Sequence, residues 1–291
     1  MNLKLRTNSQ FTIDNSQLNI TGSKSETNRL LLLQALFPNI TLTNTSNSDD
    51  SEVMQKALKG NEEIVDIHHA GTAMRFLTAF FAVNEGREVV LTGSQRMTER
   101  PIKVLVEALE QLGAKISYEN EVGYPPIQIK GQKITASKVS IPANVSSQYI
   151  SALLLVAPKL ENGIEITLVG EITSVPYIKM TLALLNDLDV KTSFEGNVIS
   201  VYPKQEVASK IMTVESDWSS ASYFFSLVAL AKSASISLTS YKETSLQGDS
   251  ALIEIYKQMG VATHFENNKM TLVKQTGFEP KNLKLELNNT P

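Results

Sequence analysis

An α/β fold assembled from repeated βαβαββ units with buried helices is predicted by three features of this 291-residue sequence. One segment recurs three times, a second kind of helix recurs four times, and strands with period-two alternation lie between them. Residues 112–120, 188–196 and 259–267 read alike, with Gly113, Asp189 and Gly260 in equivalent places at intervals of 76 and 71.

Each copy follows a helical stretch, 102–112, 176–188 and 252–259, whose apolar residues recur every three or four positions. Gly or Asp then stands where a left-handed C-cap ends such a helix. Glu-Asn or Glu-Gly turns the chain back into a second strand, which predicts a hairpin. A degenerate earlier copy is expected around 53–67. The second kind of helix starts near Lys24, Thr72, Ser146 and Ser219. It runs into Leu30-Leu31-Leu32-Leu33, Phe76-Leu77-Thr78-Ala79-Phe80-Phe81, Ile150-Ser151-Ala152-Leu153-Leu154-Leu155 and Tyr223-Phe224-Phe225-Ser226-Leu227-Val228. These helices are apolar on nearly every side, so all four are expected to be buried. A unit of about seventy residues, in the order strand, buried helix, strand, outer helix and hairpin, therefore occurs four times. Leu283, Leu285 and Leu287 alternate like the opening strand of a fifth unit, and the expectation is a chain truncated within it.

A hydrophobic fraction of 42% with 20% charged residues sustains a sizeable core. The balance of 27 basic against 30 acidic residues gives none of the positive excess of a nucleic-acid binder. With Cys 0, disulfides, zinc-thiolate sites and cysteine nucleophiles are excluded, and three His argue against a histidine-rich metal centre. The longest apolar runs, 30–36, 153–157 and 224–231, fall short of the roughly 18 to 20 residues that span a bilayer. Residues 1–15 carry no apolar signal segment. A soluble cytoplasmic protein with no membrane or nucleic-acid partner is expected.

The first turns of the buried helices hold Ser, Thr and Gly, as N-capping requires. Cations stand there too: Lys24 and Arg29 at the first, Arg75 in the second, and Arg100 before Pro101 at the start of an outer helix. A cation opposes the positive end of the helix dipole unless an anion lies between them. Phosphate or carboxylate fits that place, which points to one small, multiply anionic ligand held by several segments.

Gly22-Ser23-Lys24-Ser25-Glu26-Thr27-Asn28-Arg29 and Ala70-Gly71-Thr72-Ala73-Met74-Arg75 resemble two substrate-binding signatures of the 5-enolpyruvylshikimate-3-phosphate (EPSP) synthase family. Arg96-Met97-Thr98-Glu99-Arg100-Pro101-Ile102, Val145-Ser146-Ser147-Gln148, Ser174-Val175-Pro176-Tyr177, Glu215-Ser216-Asp217-Trp218-Ser219-Ser220-Ala221 and Leu246-Gln247-Gly248-Asp249 follow in the family's order. The resemblance implies the enolpyruvyl transferase inverse α/β barrel, two domains of three units each, with the second domain incomplete. One domain would span 20–213, with 1–19 and 214–291 in the other.

By the same resemblance, the activity is transfer of the enolpyruvyl group of phosphoenolpyruvate to the 5-hydroxyl of shikimate 3-phosphate, in the shikimate pathway to aromatic amino acids. Lys24 would be catalytic and touch both substrates. Ser25 and Arg29 would hold the shikimate ring and carboxylate, Ser146, Ser147 and Ser174 its phosphate, and Tyr177 would pack on the ring. Gln148 would bridge the substrates, and Gly71 and Arg100 would hold phosphoenolpyruvate. No metal or organic cofactor is implied; the enzyme would be a monomer with glyphosate as an inhibitor. The family's aspartate base follows the motif matched by Asn288-Asn289-Thr290-Pro291, so the 291-residue chain alone is expected to bind shikimate 3-phosphate weakly without turnover.

His69 stands where the family has Asn, Phe76 where many members have Pro, and Val175 where some have Lys; the first two are expected beside the phosphoenolpyruvate pocket. Adjacent His68 and His69 point to opposite faces of an extended strand, which disfavours a shared metal. Asp49 and Asp50 are expected to cap the following helix, and Asp217 to cap a helix or serve as a hinge, the cap being favoured. Two rival readings are a UDP-N-acetylglucosamine enolpyruvyl transferase, whose usual cysteine acid is impossible here, and a non-catalytic anion-binding fragment.

Overall fold

The computed structural model describes residues 12–172 and 175–278, so Ser174, the strand expected at 283–287 and the motif at 288–291 lie outside the described residues. The elements run β1 (Thr12–Leu18), α1 (Lys24–Leu36), β2 (Ile40–Thr43), α2 (Asp49–Lys59), β3 (Ile64–Asp66), α3 (Gly71–Val83) and β4 (Glu88–Thr92). A short α4 (Gln95–Thr98) leads to α5 (Lys103–Gln111), β5 (Lys115–Tyr118), β6 (Ile127–Lys130), β7 (Lys138–Pro142), α6 (Ser147–Val156), β8 (Ile164–Val169) and α7 (Val175–Asn186). Then come β9 (Thr192–Glu195), β10 (Val198–Val201), β11 (Lys210–Thr213), α8 (Trp218–Leu230), β12 (Ser233–Thr239), α9 (Leu252–Lys257), β13 (Val261–Glu266) and β14 (Lys269–Lys274). They form two compact units, 24–212 and the remainder.

In the larger unit the apolar helices pack on one another. Residues 26–33 of α1, 72–82 of α3 and 149–156 of α6 are all buried, and the three helices touch pairwise. At about 1.5–3 kcal/mol for each large apolar side chain removed from water, this centre dominates the unit's stability. The outer helices are one-sided: α5 buries Leu105, Val106, Ala108 and Leu109, and α2 buries Ser51, Met54 and Ala57. Gly113, Asp189 and Gly260 take φ of 98°, 57° and 79°, the left-handed caps read from the repeat.

Each four-stranded sheet has one plan, a parallel pair followed by an antiparallel hairpin. The orders are β3-β4-β6-β5 and β7-β8-β10-β9 in the larger unit and β1-β12-β14-β13 in the smaller. The third hairpin turns on Asn267 and Asn268, both at positive φ as a type I′ turn needs. The first does not turn at Glu119-Asn120; residues 119–126 separate its strands.

Three further differences from the repeat pattern stand out. The strand preceding α8 in sequence, β11, lies against β2 in the larger unit, while β1, which precedes α1, lies parallel to β12 in the smaller. The earliest copy has no hairpin, because β3 goes straight on to open the next unit. Third, α8 is not buried all round. It turns Trp218, Ala221, Phe225 and Val228 inward, where Tyr256 of α9 lies against Phe225, and leaves Tyr223, Leu227 and Leu230 exposed, because no helix covers that other side among the described residues of its unit. Asp217 caps α8, accepting from the Ser220 amide at 2.8 Å. At α2 the cap is Ser48; Asp49 and Asp50 instead occupy the first turn, where carboxylates complement the helix dipole. No helix among the described residues is long and apolar enough to cross a membrane.

Candidate anion-binding site

The first turn of α3 begins without a side-chain cap. Ala70 holds the N-cap position and has no side-chain oxygen to offer, so the leading N–H groups are left to whatever lies in front of them. Arg75, one turn along, donates from Nη1 to the Gly71 carbonyl at 2.7 Å. A Cβ on residue 71 would lie 2.8 Å from that same nitrogen and 2.7 Å from Nη1 of Arg100. Glycine therefore lets two guanidinium groups converge on one point of the backbone.

That convergence is electrostatically unfavourable by itself. Arg75 is buried, and its Nε is without a hydrogen-bond partner among the described residues. Burial pushes its pKa below the ordinary guanidinium value; Tyr149 opposes the shift, Arg100 adds to it, and Asp50 opposes it. A bound anion relieves the repulsion between two close cations. Arg100 is exposed and lines a cavity of about 420 Å³ with His69, Arg96 and Met97. His69 also faces Asp49, Nε2 to Oδ2 at 3.8 Å.

The start of α6 adjoins this place. Ser146 caps the helix, its hydroxyl accepting from the Gln148 amide at 3.4 Å, and Ser147 is buried. Gln148 Nε2 donates to Thr72 Oγ1 at 3.3 Å, which links the first turns of α6 and α3. Tyr149 donates its hydroxyl to the Pro101 carbonyl at 2.7 Å, and its ring lies 5.7 Å from the Arg75 guanidinium.

A second cluster forms around Arg29 on α1. Lys24 is exposed at the helix start and Ser25 is half-buried. Arg29 is only 2% exposed and donates to Thr181 Oγ1 at 2.8 Å, the Ser25 carbonyl at 2.8 Å and Ser151 Oγ at 3.0 Å. The rings of Phe76 and Tyr177 lie 5.4 and 5.8 Å from it. Burial lowers its pKa to about 10, against smaller raising effects of Tyr177 and Glu26, so it stays charged at neutral pH. Among the described residues none forms an ion pair with it.

The residues singled out in the sequence thus fall into two groups joined by α6: Gly71, Arg100, Ser146, Ser147 and Gln148 in one, and Lys24, Ser25, Arg29 and Tyr177 in the other. Phe76 belongs with the second. It follows Arg75 on α3 and turns a fully buried ring to Arg29. Arg75 stood among the helix-start cations read from the sequence without a substrate assigned to it, whereas Thr72, Tyr149, Ser151 and Thr181 were not among the sequence-derived site residues. Ser151 and Thr181, both fully buried, carry a legible signal as lone hydroxyls within apolar helices.

Fold and site together describe a protein of repeated α/β units in which two guanidinium groups converge on the uncapped start of a buried helix. A family profile, EPSP synthase (3-phosphoshikimate 1-carboxyvinyltransferase), matches residues 55–290. The 3-phosphoshikimate 1-carboxyvinyltransferase of Bacteroides fragilis strain YCH46 is 43% identical over 258 residues, 88% of this chain and 63% of that protein. That of Histophilus somni strain 2336 is 36% identical over 306 residues, 94% of this chain and 70% of that one. A solved EPSP synthase from Acinetobacter baumannii superposes with a TM-score of 0.75 at 20% identity, over 96% of this chain and 68% of that one, and shares the fold. The chain belongs to the EPSP synthase family. It spans about 63% of the length of its Bacteroides fragilis relatives.

Proposed function

We propose that the protein works in transfer of the enolpyruvyl group from phosphoenolpyruvate to the 5-hydroxyl of shikimate 3-phosphate. Convergence of Arg75 and Arg100 on the glycine backbone at residue 71 is the observation that carries this reading. A carboxylate or phosphate seated there meets two guanidinium groups and the uncapped start of α3. Phosphoenolpyruvate carries both groups.

In this reading Gly71 and Arg100 hold phosphoenolpyruvate, Gln148 spans the two substrates, and Lys24 reaches both from the exposed start of α1. Ser146, Ser147 and Ser174 take the phosphate of shikimate 3-phosphate, Ser25 and Arg29 its ring and carboxylate, and Tyr177 packs on the ring. The 5-hydroxyl gives up its proton as its oxygen adds to C2 of phosphoenolpyruvate and C3 gains a proton; the tetrahedral adduct then loses a proton from C3 and breaks its C2–O bond to phosphate, which restores the C2–C3 double bond and releases phosphate. Cations at the leaving phosphate stabilise the charge that builds there. The protein acts as a cytoplasmic monomer, and glyphosate competes for the phosphoenolpyruvate place.

Calorimetric titration of the 291-residue chain tests the reading. Shikimate 3-phosphate should bind and strengthen binding of phosphoenolpyruvate, while UDP-N-acetylglucosamine should not bind. Binding of the UDP-sugar alone, or of neither substrate, overturns it.

A further inference from the structure

The two arginines at Gly71 come from different elements, and each needs something to hold it. Arg75 sits on α3, but Arg100 follows the short α4 on an exposed connection, tied by its amide to the Met97 carbonyl at 3.0 Å. One side chain touches the supports of both. Tyr149 of α6 donates its hydroxyl to the carbonyl of Pro101, the residue next to Arg100, and lays its ring 5.7 Å from the Arg75 guanidinium. A phenol suits this double task, because its π face attracts a cation while its O–H anchors a peptide.

We propose that Tyr149 is a positioning residue that holds Arg75 and Arg100 together as one anion clamp, acting on the ligand only through them. The proposal rests on the reading of Gly71 and Arg100 as the phosphoenolpyruvate place. It assigns work to a residue that is only 7% exposed and that its sequence context marks as core. Loss of the hydroxyl frees the 100–101 peptide while leaving the ring under Arg75. Loss of the ring frees Arg75 as well.

The test is titration of phosphoenolpyruvate in the presence of saturating shikimate 3-phosphate. Tyr149→Phe should weaken phosphoenolpyruvate binding roughly tenfold, as loss of one oriented hydrogen bond does, with shikimate 3-phosphate affinity and melting temperature nearly unchanged. Tyr149→Leu should weaken it further. In an Arg100→Lys background, Tyr149→Phe should have little added effect, since the anchored guanidinium is already gone. Equal loss for both ligands, an unchanged phosphoenolpyruvate affinity, or a full additive loss in the Arg100→Lys background would overturn the assignment of Tyr149 while leaving the site intact. Failure of the unaltered chain to bind phosphoenolpyruvate would overturn the site, and this inference with it.

Discussion

Arg29 Nε donates to Thr181 Oγ1 at 2.8 Å across 152 positions of sequence. The bond joins the first buried helix to an outer helix two units later, and Ser151 of α6 completes the network from a third element. A charge this deeply buried is tolerated because three of its five N–H bonds are matched to protein oxygens.

Thr181→Val keeps the shape and removes the acceptor, stranding a buried charged N–H. The expected cost is about 1–3 kcal/mol in stability, with Thr181→Ser close to the parent. Urea unfolding followed by circular dichroism measures it; equal midpoints for the Val and Ser variants would show that the bond contributes nothing.

Gly71→Ala separates stability from binding. The added Cβ meets only the ends of two flexible side chains, and alanine suits a helix better than glycine, so stability should change by less than about 1 kcal/mol. Displaced guanidinium groups should nevertheless lower phosphoenolpyruvate affinity by at least about tenfold, with shikimate 3-phosphate affinity kept. A parallel titration of both ligands decides.

Arg100→Ala removes an exposed cation whose charge bears on Arg75. Phosphoenolpyruvate binding should fall far more than shikimate 3-phosphate binding, while melting temperature holds or rises slightly. Matching losses for the two ligands would contradict the placement of Arg100.

Alkaline pH should weaken the smaller unit. Burial pushes the Tyr241 hydroxyl above the ordinary tyrosine range, and the charges of Asp217 and Glu215 add to this. A folded pKa above the unfolded value means that stability is fully present below pH about 10 and is lost as pH rises beyond it. Trp218, the chain's single tryptophan, stands edge-on to Tyr241 at 5.2 Å, so its fluorescence reports this unit alone. Denaturant midpoints should fall between pH 9 and 12, whereas Tyr241→Phe should flatten the fall and lose about 1 kcal/mol at neutral pH with its bond to the Asp217 carbonyl.

Helices buried on every side, and the glycine or aspartate caps of the outer helices, were legible because both write strong local patterns. Leu30 to Leu33 leave no polar face, and positive φ at Gly113 is a property of one residue. Strand partnership is different. β1 and β11 carry only two apolar residues each and no clear alternation, and nothing local says which will lie beside β12 and which beside β2. The exposed side of α8 was illegible for a related reason, since its apolar residues are there whether or not another helix covers them. In the site, Lys24, Arg29, Gly71 and Arg100 were conspicuous as charges or glycine at helix starts. Tyr149 was not, since an aromatic residue in an apolar helix looks like core filling until its hydroxyl is traced to Pro101.

The uncapped start of α3 also sets an isotopic clock. Amide protons beyond Arg75 lie in a buried helix and trade for deuterium only when the larger unit opens, whereas those at 71–73 have no intrahelical acceptor to slow them. An anion seated against them supplies that acceptor. Deuterium uptake in a peptide covering 70–75 should therefore slow when the site fills, while the rest of α3 keeps its pace, so the helix records occupancy of the site without turnover.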